Sequence, residues 1–315
     1  DLKEELPVLY LRLRHAALDD GVRIIEVAPA TTGLSAFAAH TELHGPGEAE
    51  AAVRAVLDAG LVGDGPVVVV LGRPSLAEPA DHVARAATLL AGENVTFLSA
   101  LRRGNVHGAL DMGLAPGLLP GRTTLEAGRA AVAGTWATTP DRPGMDTSAM
   151  LRAAAAGHLD VLVLLGADPL QDAPDRDLAR RALAAVGTVI AVDLFLTASV
   201  EAADIVLPAA GYAEVDGTTT NLEGRVSTVA RRVTAPGTAR EDWIIAADLA
   251  TRLGADLGVT SVADLQAEIA RVAPTHADLA ARVAAEGDGA LMTGTSVTPV
   301  EIAARPLPSA DSYSL

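Results

Sequence analysis

Cysteine is absent from the 315 residues of this chain. Without thiolates the chain forms neither disulfides nor thiolate zinc sites, and it has no cysteine to ligate an iron–sulfur cluster. Aromatic residues are also scarce, at 3% of the sequence, although half of the residues are apolar. A core of useful size must therefore be built mainly from alanine, valine and leucine.

Positive charge is in short supply as well. The 24 lysines and arginines face 40 aspartates and glutamates, which gives a formal net charge of −16. Phosphate backbones repel such a surface, so we expect no nucleic-acid partner. An acidic surface favours solubility and docking to basic protein surfaces.

Long hydrophobic runs are missing too. The longest apolar runs have the length of β-strands, which predicts no direct insertion into a membrane. The first five residues lack the layout of a signal peptide. The chain also starts without a methionine, and we interpret it as part of a longer protein.

Short apolar runs alternate with helix-like segments along the chain. This alternation predicts an α/β fold with mostly parallel sheets and helices on both faces. We divide the chain into a first α/β segment (1–125), a second α/β segment (126–260) and a helical end with an irregular tail (261–315). The predicted helices cover residues 6–19, 48–59, 81–91, 147–157, 175–185, 241–253, 262–272 and 277–285. Residues 102–122 and 130–143 are rich in glycine or proline and are predicted as loops.

The segment from residue 161 to 193 reads as strand, helix and strand. Its first strand ends in Gly166-Ala167-Asp168-Pro169, and its second strand ends at Asp193. Acidic loops at the carboxyl ends of parallel strands are well placed to bind a ribose or a guanine edge, so Gly166, Asp168 and Asp193 are candidate ligand contacts. The alternative is that both aspartates cap turns or helices.

Residues 214–225 combine polar side chains with two glycines and predict a shaped loop. Such loops carry function more often than helix faces do. The alternative is a self-bonded turn with a surface ion pair between Glu223 and Arg225. The candidates in this segment are Glu214, Thr218, Asn221, Glu223 and Arg225.

Taken together, several motifs resemble the molybdopterin oxidoreductase superfamily in their order and spacing. Within it, the chain looks most like the family of large iron–sulfur subunits (the G subunit) of bacterial NADH–quinone oxidoreductase, respiratory complex I. The resemblance covers roughly residues 6–254. It is carried by residues 9–16, 103–105, 108–113, 119–121, 166–169, 193–197, 203–208 and 214–225.

The resemblance implies a formate dehydrogenase-like α/β domain. In such relatives it holds a bis-guanine-dinucleotide molybdenum cofactor, and the loops matching 166–169 and 193–197 lie near the nucleotide part, which adds Thr197 to the candidates. In the large subunit of complex I this domain is expected to carry no molybdenum, and the iron–sulfur clusters lie in a cysteine-rich N-terminal region that is missing here. We therefore expect no cofactor, metal ligand or catalytic residue in this chain, and a vestigial crevice.

Three hypotheses follow from these patterns. The first is a structural part of complex I, which passes electrons from NADH to quinone and translocates protons. It would pack against other hydrophilic-arm subunits on the cytoplasmic side of the bacterial inner membrane, using the 102–122 loop. The second is a fragment of a molybdopterin-guanine-dinucleotide-dependent enzyme such as formate dehydrogenase. The third is a free-standing nucleotide-binding module.

Overall fold

The computed structural model describes residues 1–72 and 80–292, with the side chains of 80 and 81 left undescribed. These residues form two compact units, 1–104 and 105–292. No helix in the described ranges is both long enough and apolar enough to cross a bilayer. The three-segment division of the chain stays a prediction.

The first unit contains two small parallel sheets. In one, β1 (Ile25–Ala28) pairs with β2 (His40–Leu43), and in the other β3 (Val67–Leu71) pairs with β4 (Val95–Ser99) over five residue pairs. Helix α3 buries Ala49, Ala52, Val53 and Val56, whose spacing places them on one helix face against α4. The elements are α1 (Leu2–Glu5), α2 (Pro7–Leu18), β1 (Ile25–Ala28), β2 (His40–Leu43), α3 (Ala49–Asp58), β3 (Val67–Leu71), α4 (Ala80–Thr88) and β4 (Val95–Ser99), with a 3-10 turn at Ser35–Phe37.

The first half of the second unit leads into a parallel sheet. Three strands, β7 (Val161–Leu165), β8 (Thr188–Asp193) and β9 (Ile205–Pro208), lie side by side in chain order. The elements up to this sheet are α5 (Val106–Asp111), β5 (Leu118–Leu119), β6 (Thr123–Thr124), α6 (Leu125–Val132), α7 (Thr147–Ala155), β7 (Val161–Leu165), α8 (Pro169–Asp172), α9 (Arg176–Ala185), β8 (Thr188–Asp193), α10 (Ala198–Glu201) and β9 (Ile205–Pro208).

One face of this sheet carries the largest buried core cluster of the described chain. Leu162, Leu164, Val189 and Ala191 point to it, and side chains of α7, α9 and α10 cover them. The inward and outward alternation along β7 follows the two-residue period of a strand. Both crossover connections, β7 to β8 and β8 to β9, therefore run on this face.

The opposite face of the sheet is only partly covered. Helix α11 (Asp242–Arg252) approaches it at Ile190, Ile205 and Leu207, where a cavity remains between strands and helix. On the edge strand β7, Val161, Val163 and Leu165 stay more than half exposed. The last elements are β10 (Gly217–Thr220), β11 (Arg225–Val229), α11 (Asp242–Arg252), α12 (Val262–Val272), α13 (Leu279–Glu286) and β12 (Ala290–Leu291), with 3-10 turns at Tyr212–Glu214 and Pro274–His276.

The structure confirms the α/β fold class with parallel sheets. It corrects two predicted loops. Residues 102–122 contain helix α5 and the short strand β5, and α6 reaches into the predicted 130–143 loop. Helix α5 has six residues, too few turns for a visible apolar period, and it starts after Asn105 in the left-handed region (φ 61°). The predicted tail falls mostly outside the described residues.

A third correction concerns residues 214–225, predicted as a loop. They contain most of a β-hairpin, in which β10 and β11 pair antiparallel and β12 adds a third strand. Thr218 and Arg225 therefore lie on strands. The threonine run is compatible with a strand because β-branched residues favour strands. Because threonine is polar, however, the run lacks the alternation of apolar and polar residues by which a strand is predicted.

Candidate functional site

The parallel strands bring Gly166, Asp168 and Asp193 to one edge of the sheet. Because β7 and β8 are adjacent and parallel, their carboxyl ends meet there. The Gly166 N–H donates to Val192 O at 2.9 Å, which ties the two loops together. Gly166 is left-handed (φ +56°), and the space where a Cβ would stand is open. A side chain at this position would be strained by the backbone without meeting a neighbour.

Asp168 is engaged inside the protein. Its Oδ1 accepts the hydroxyl hydrogen of Ser199 at 2.5 Å, and the Ser199 Oγ accepts the N–H of Leu170 at 3.0 Å. Ser199 has no exposed surface. Asp168 holds the N-cap position of α8, but its side chain makes no capping bond there. The carboxylate thus connects the β7–α8 loop to α10.

Asp193 and Thr197 stabilise the loop between β8 and α10. Asp193 Oδ1 accepts the N–H groups of Leu194 at 2.6 Å and Phe195 at 3.2 Å. Thr197 is the N-cap of α10, and its hydroxyl accepts the N–H of Val200 at 3.4 Å. Asp193 therefore stabilises the turn after β8, and Thr197 caps the N-terminus of α10.

Asp242, which the sequence patterns did not single out, lies near Asp193. Partial desolvation raises the pKa of Asp242, and the negative charge of Asp193 raises this pKa further. Asp242 is the first residue of α11 and follows Asp193 by 49 positions in the sequence. No local sequence pattern predicts that Asp242 lies near Asp193.

The candidates of the 214–225 segment also have internal partners. Glu214 Oε2 accepts the N–H of Gly211 at 2.7 Å. Asn221 Oδ1 accepts the N–H groups of Glu223 and Arg225, both at 2.9 Å, in the self-bonded turn that was the alternative interpretation. The Arg225 guanidinium donates to Gly289 O at 2.8 Å. Thr218 pairs with Thr228 in the hairpin ladder.

The nine candidates fall into two groups. Gly166, Asp168, Asp193 and Thr197 stand at the sheet edge, and Glu214 stands beside them because Leu194 and Glu214 both approach Gly211. The other four are Thr218, Asn221, Glu223 and Arg225, all in the hairpin. Within residues 1–72 and 80–292, no hydrogen bond or ion pair joins the two groups.

Strand order matters for what this edge can bind. In open α/β sheets a ligand crevice opens where the strand order reverses, so that neighbouring connections go to opposite faces. The order β7–β8–β9 runs in one direction, with both connections on the same face. The described part of this sheet has no reversal between β7 and β8.

A second polar cluster lies in the segment first taken as a loop. Arg122 Nε donates to Asp111 Oδ1 at 2.5 Å, and a terminal Arg122 nitrogen lies 2.7 Å from His107 Nδ1. His276 Nε2 lies 3.8 Å from Asp111 Oδ2 and is almost fully buried. Burial lowers the pKa of both histidines, and the positive charge of Arg122 lowers it further, whereas the negative charge of Asp111 partly offsets this. Two histidines with lowered pKa values therefore flank the Asp111–Arg122 ion pair.

These features define an α/β domain built on parallel strands that end in acidic loops. The chain belongs to the molybdopterin oxidoreductase family, whose sequence profile matches residues 1–252.

Similar proteins differ in their activities. The chain is 45% identical over 139 residues to the NADH-quinone oxidoreductase G subunit 2 of Rhizobium meliloti (strain 1021), covering 43% of this chain and 16% of the relative. It is 35% identical over 188 residues to the F420-dependent formate dehydrogenase alpha subunit of Methanocaldococcus jannaschii, covering 59% and 28%. It is also 35% identical over 157 residues to the assimilatory nitrate reductase catalytic subunit of Bacillus subtilis (strain 168), covering 48% and 22%.

The chain thus spans between 16% and 28% of the length of these curated relatives. Among solved structures, acetylene hydratase from Pelobacter acetylenicus is similar, with a TM-score of 0.50 and 16% identity. The match covers 78% of this chain and 45% of that structure. At this identity the likeness supports the shared fold alone.

Proposed function

We propose that this chain is a structural, non-catalytic part of the large iron–sulfur subunit of a bacterial NADH–quinone oxidoreductase. The whole enzyme would pass electrons from NADH to quinone and couple this to proton translocation. This chain would contact other hydrophilic-arm subunits at the cytoplasmic side of the inner membrane. The iron–sulfur clusters would be bound outside this cysteine-free chain.

The observation that carries the proposal is the use of the candidate carboxylates inside the protein. Asp168 accepts from Ser199, Asp193 accepts from two loop N–H groups, and Glu214 accepts from Gly211. A nucleotide-type cofactor would compete with these bonds only where it used the same carboxylate oxygens. Each of these carboxylates therefore has a structural use that needs no bound nucleotide-type cofactor. The unreversed strand order and the 45% identity to the Rhizobium meliloti relative add support.

The test has two parts. Purified complex that contains this chain is analysed for iron, molybdenum and tungsten, and for guanine nucleotide and pterin released on denaturation. We expect iron without molybdenum, tungsten or pterin. In addition, Asp193→Ala in the same complex should leave NADH–quinone electron transfer per assembled complex unchanged.

The second candidate function is part of a molybdopterin-dependent enzyme of the formate dehydrogenase type. It is favoured by the length of the match to the formate dehydrogenase relative, which covers 59% of this chain, compared with 43% for the Rhizobium meliloti relative. Stoichiometric molybdenum or tungsten with guanine nucleotide would decide for it and against the first. In that case Asp193→Ala should lower cofactor content.

A further inference from the structure

The second unit contains a cavity of about 350 Å³ between its parallel sheet and helix α11. Ile190, Ile205 and Leu207 form the wall on the sheet side, and Ile245 and Leu249 form the wall on the helix side. Side chains normally fill such a space, because protein interiors pack about as densely as organic crystals. The volume lies at the lower end of the range for ligand pockets, roughly 300–1,000 Å³. The cavity is therefore a candidate binding site for a small molecule.

Backbone hydrogen bonds hold the two walls of the cavity in place. The segment before α11 is tied to the end of β9, since the Arg240 N–H donates to Pro208 O at 3.1 Å and the Ala210 N–H donates to Arg240 O at 2.8 Å. Ile245 is only 5% exposed, so α11 packs into the unit at this residue. A preformed apolar cavity with a few polar groups is the usual form of a small-molecule site.

Three charged side chains also line the cavity. The Arg240 guanidinium donates to the Asp248 carboxylate and forms an ion pair with it. Arg252 follows Asp248 by one helical turn, and within residues 1–72 and 80–292 it has no ion pair. The lining therefore has one positive charge in excess. A guanidinium can bind a carboxylate through two parallel N–H groups, which fixes the position of the bound head group.

This combination of groups selects the ligand. The apolar walls favour an apolar body, and the excess positive charge favours an anionic head over a neutral or cationic one. A doubly charged head is disfavoured, because the Asp248 carboxylate lies one turn from Arg252 and repels it. The net charge of −16 opposes the approach of any anion, so the apolar body must supply most of the affinity.

We propose that this cavity binds a small amphipathic monoanion, namely a carboxylate with an unbranched aliphatic chain. The aliphatic chain would lie between Ile205 and Leu207 on the sheet and Ile245 and Leu249 on the helix. The carboxylate would pair with Arg252. The inference rests on the geometry of the second unit and holds whichever of the two functions above is correct.

The probes are three ligands with the same aliphatic chain and different head groups, namely octanoate, 1-octanol and octylammonium. Binding of each to the full 315-residue chain is measured by isothermal titration calorimetry at ligand concentrations below micelle formation. An ion pair at an exposed arginine is worth at most about fivefold in affinity. We therefore expect octanoate to bind about threefold to fivefold more tightly than 1-octanol, and octylammonium to bind most weakly.

The role of Arg252 is tested by Arg252→Gln. This variant should lose the preference for octanoate over 1-octanol and keep the affinity for 1-octanol. Arg271→Gln is the matched control, because Arg271 is also an exposed arginine in the last turn of a helix, α12, and lies outside the lining of the cavity. The control should bind all three ligands as the unmodified chain does. Equal affinities in the two variants would contradict the assignment of the carboxylate to Arg252.

The position of the aliphatic chain is tested by filling the cavity. Ile205→Trp should weaken binding of all three ligands by about tenfold or more, because the filled cavity loses the apolar area that drives binding. Ile205→Phe, a smaller change, is measured beside it and should act in the same direction. Val206→Trp is the control, because Val206 is 41% exposed and points to the opposite face of the same strand. Circular dichroism and the melting temperature show that each variant is folded.

Four results would overturn the proposal. The first is no binding of octanoate up to its solubility limit. The second is binding of 1-octanol or octylammonium as tight as that of octanoate. The third is an equal loss of affinity in Val206→Trp and the two Ile205 variants, because the ligand would then bind elsewhere. The fourth is a self-dimer of the unmodified chain that Ile205→Trp dissociates, because a second copy would then cover the cavity.

Discussion

The Ser199 hydroxyl donates a hydrogen bond of 2.5 Å to Asp168 Oδ1, across 31 residues of sequence. Ser199 is fully buried, and it also accepts the N–H of Leu170. The bond ties the loop after β7 to the start of α10. It gives the Asp168 carboxylate a structural role that does not depend on a ligand.

Asp168→Ala should lower the free energy of unfolding by about 1–3 kcal/mol, because it leaves the buried Ser199 hydroxyl without an acceptor. Urea unfolding of Asp168→Ala, Ser199→Ala and the double variant gives a double-mutant cycle. The double variant should be less destabilised than the sum of the two single variants. Strict additivity would show that the bond does not stabilise the fold.

Stability should fall as the pH is lowered from 7 towards 5. Burial holds the folded-state pKa of His276 and His107 below the usual value of about 6.5. Between the lowered pKa and about 6.5 the unfolded chain binds more protons, so the free energy of unfolding rises with pH there. Each histidine contributes at most about 1.4 kcal/mol per pH unit.

The pH effect is measured by urea unfolding at several pH values. His276→Gln should flatten the profile, whereas His158→Gln, which changes an exposed histidine, should leave its slope unchanged. Equal slopes in all three proteins would contradict the assignment to His276.

Gly113→Ala should destabilise the fold more than Gly117→Ala. Both glycines are left-handed, with φ of +79° and +84°, so alanine costs roughly 1–2 kcal/mol at either position. A Cβ at Gly113 would stand 2.8 Å from the Leu119 carbonyl carbon, whereas at Gly117 the nearest atom is Pro143 Cγ at 3.4 Å. Thermal unfolding of the two variants isolates the cost of the backbone clash. A lower melting temperature for Gly117→Ala than for Gly113→Ala would refute this.

The sequence predicts regular elements well where apolar periodicity and capping residues agree. The predicted helix at 262–272 matches Val262–Val272, and Ser261 caps it, since its hydroxyl accepts the N–H of Asp264. The helix predicted at 175–185 is observed as Arg176–Ala185, with Asp175 as its cap. In such segments the local preferences, namely helix capping and apolar periodicity, favour the same structure as tertiary packing does.

Features that depend on contacts between distant parts of the chain could not be predicted from local sequence patterns. The order of strands decides whether an acidic loop faces a crevice, and no local pattern encodes that order. The Ser199–Asp168 bond and the Asp111–Arg122 pair join residues with no spacing signal. Whether the nine candidate site residues ever contact a ligand stays a prediction.

The edge of β7 has a consequence for handling the protein. The side chains of Val161, Val163 and Leu165 are more than half exposed on this strand. In the strand order of the described residues, the backbone N–H and C=O groups on the outer side of β7 have no strand partner. Such an edge is a template for pairing with any other extended chain. Turbidity of the purified chain should therefore rise with concentration. Val163→Lys, which places a charge on the outward side of the strand, should suppress this without disturbing the core behind it.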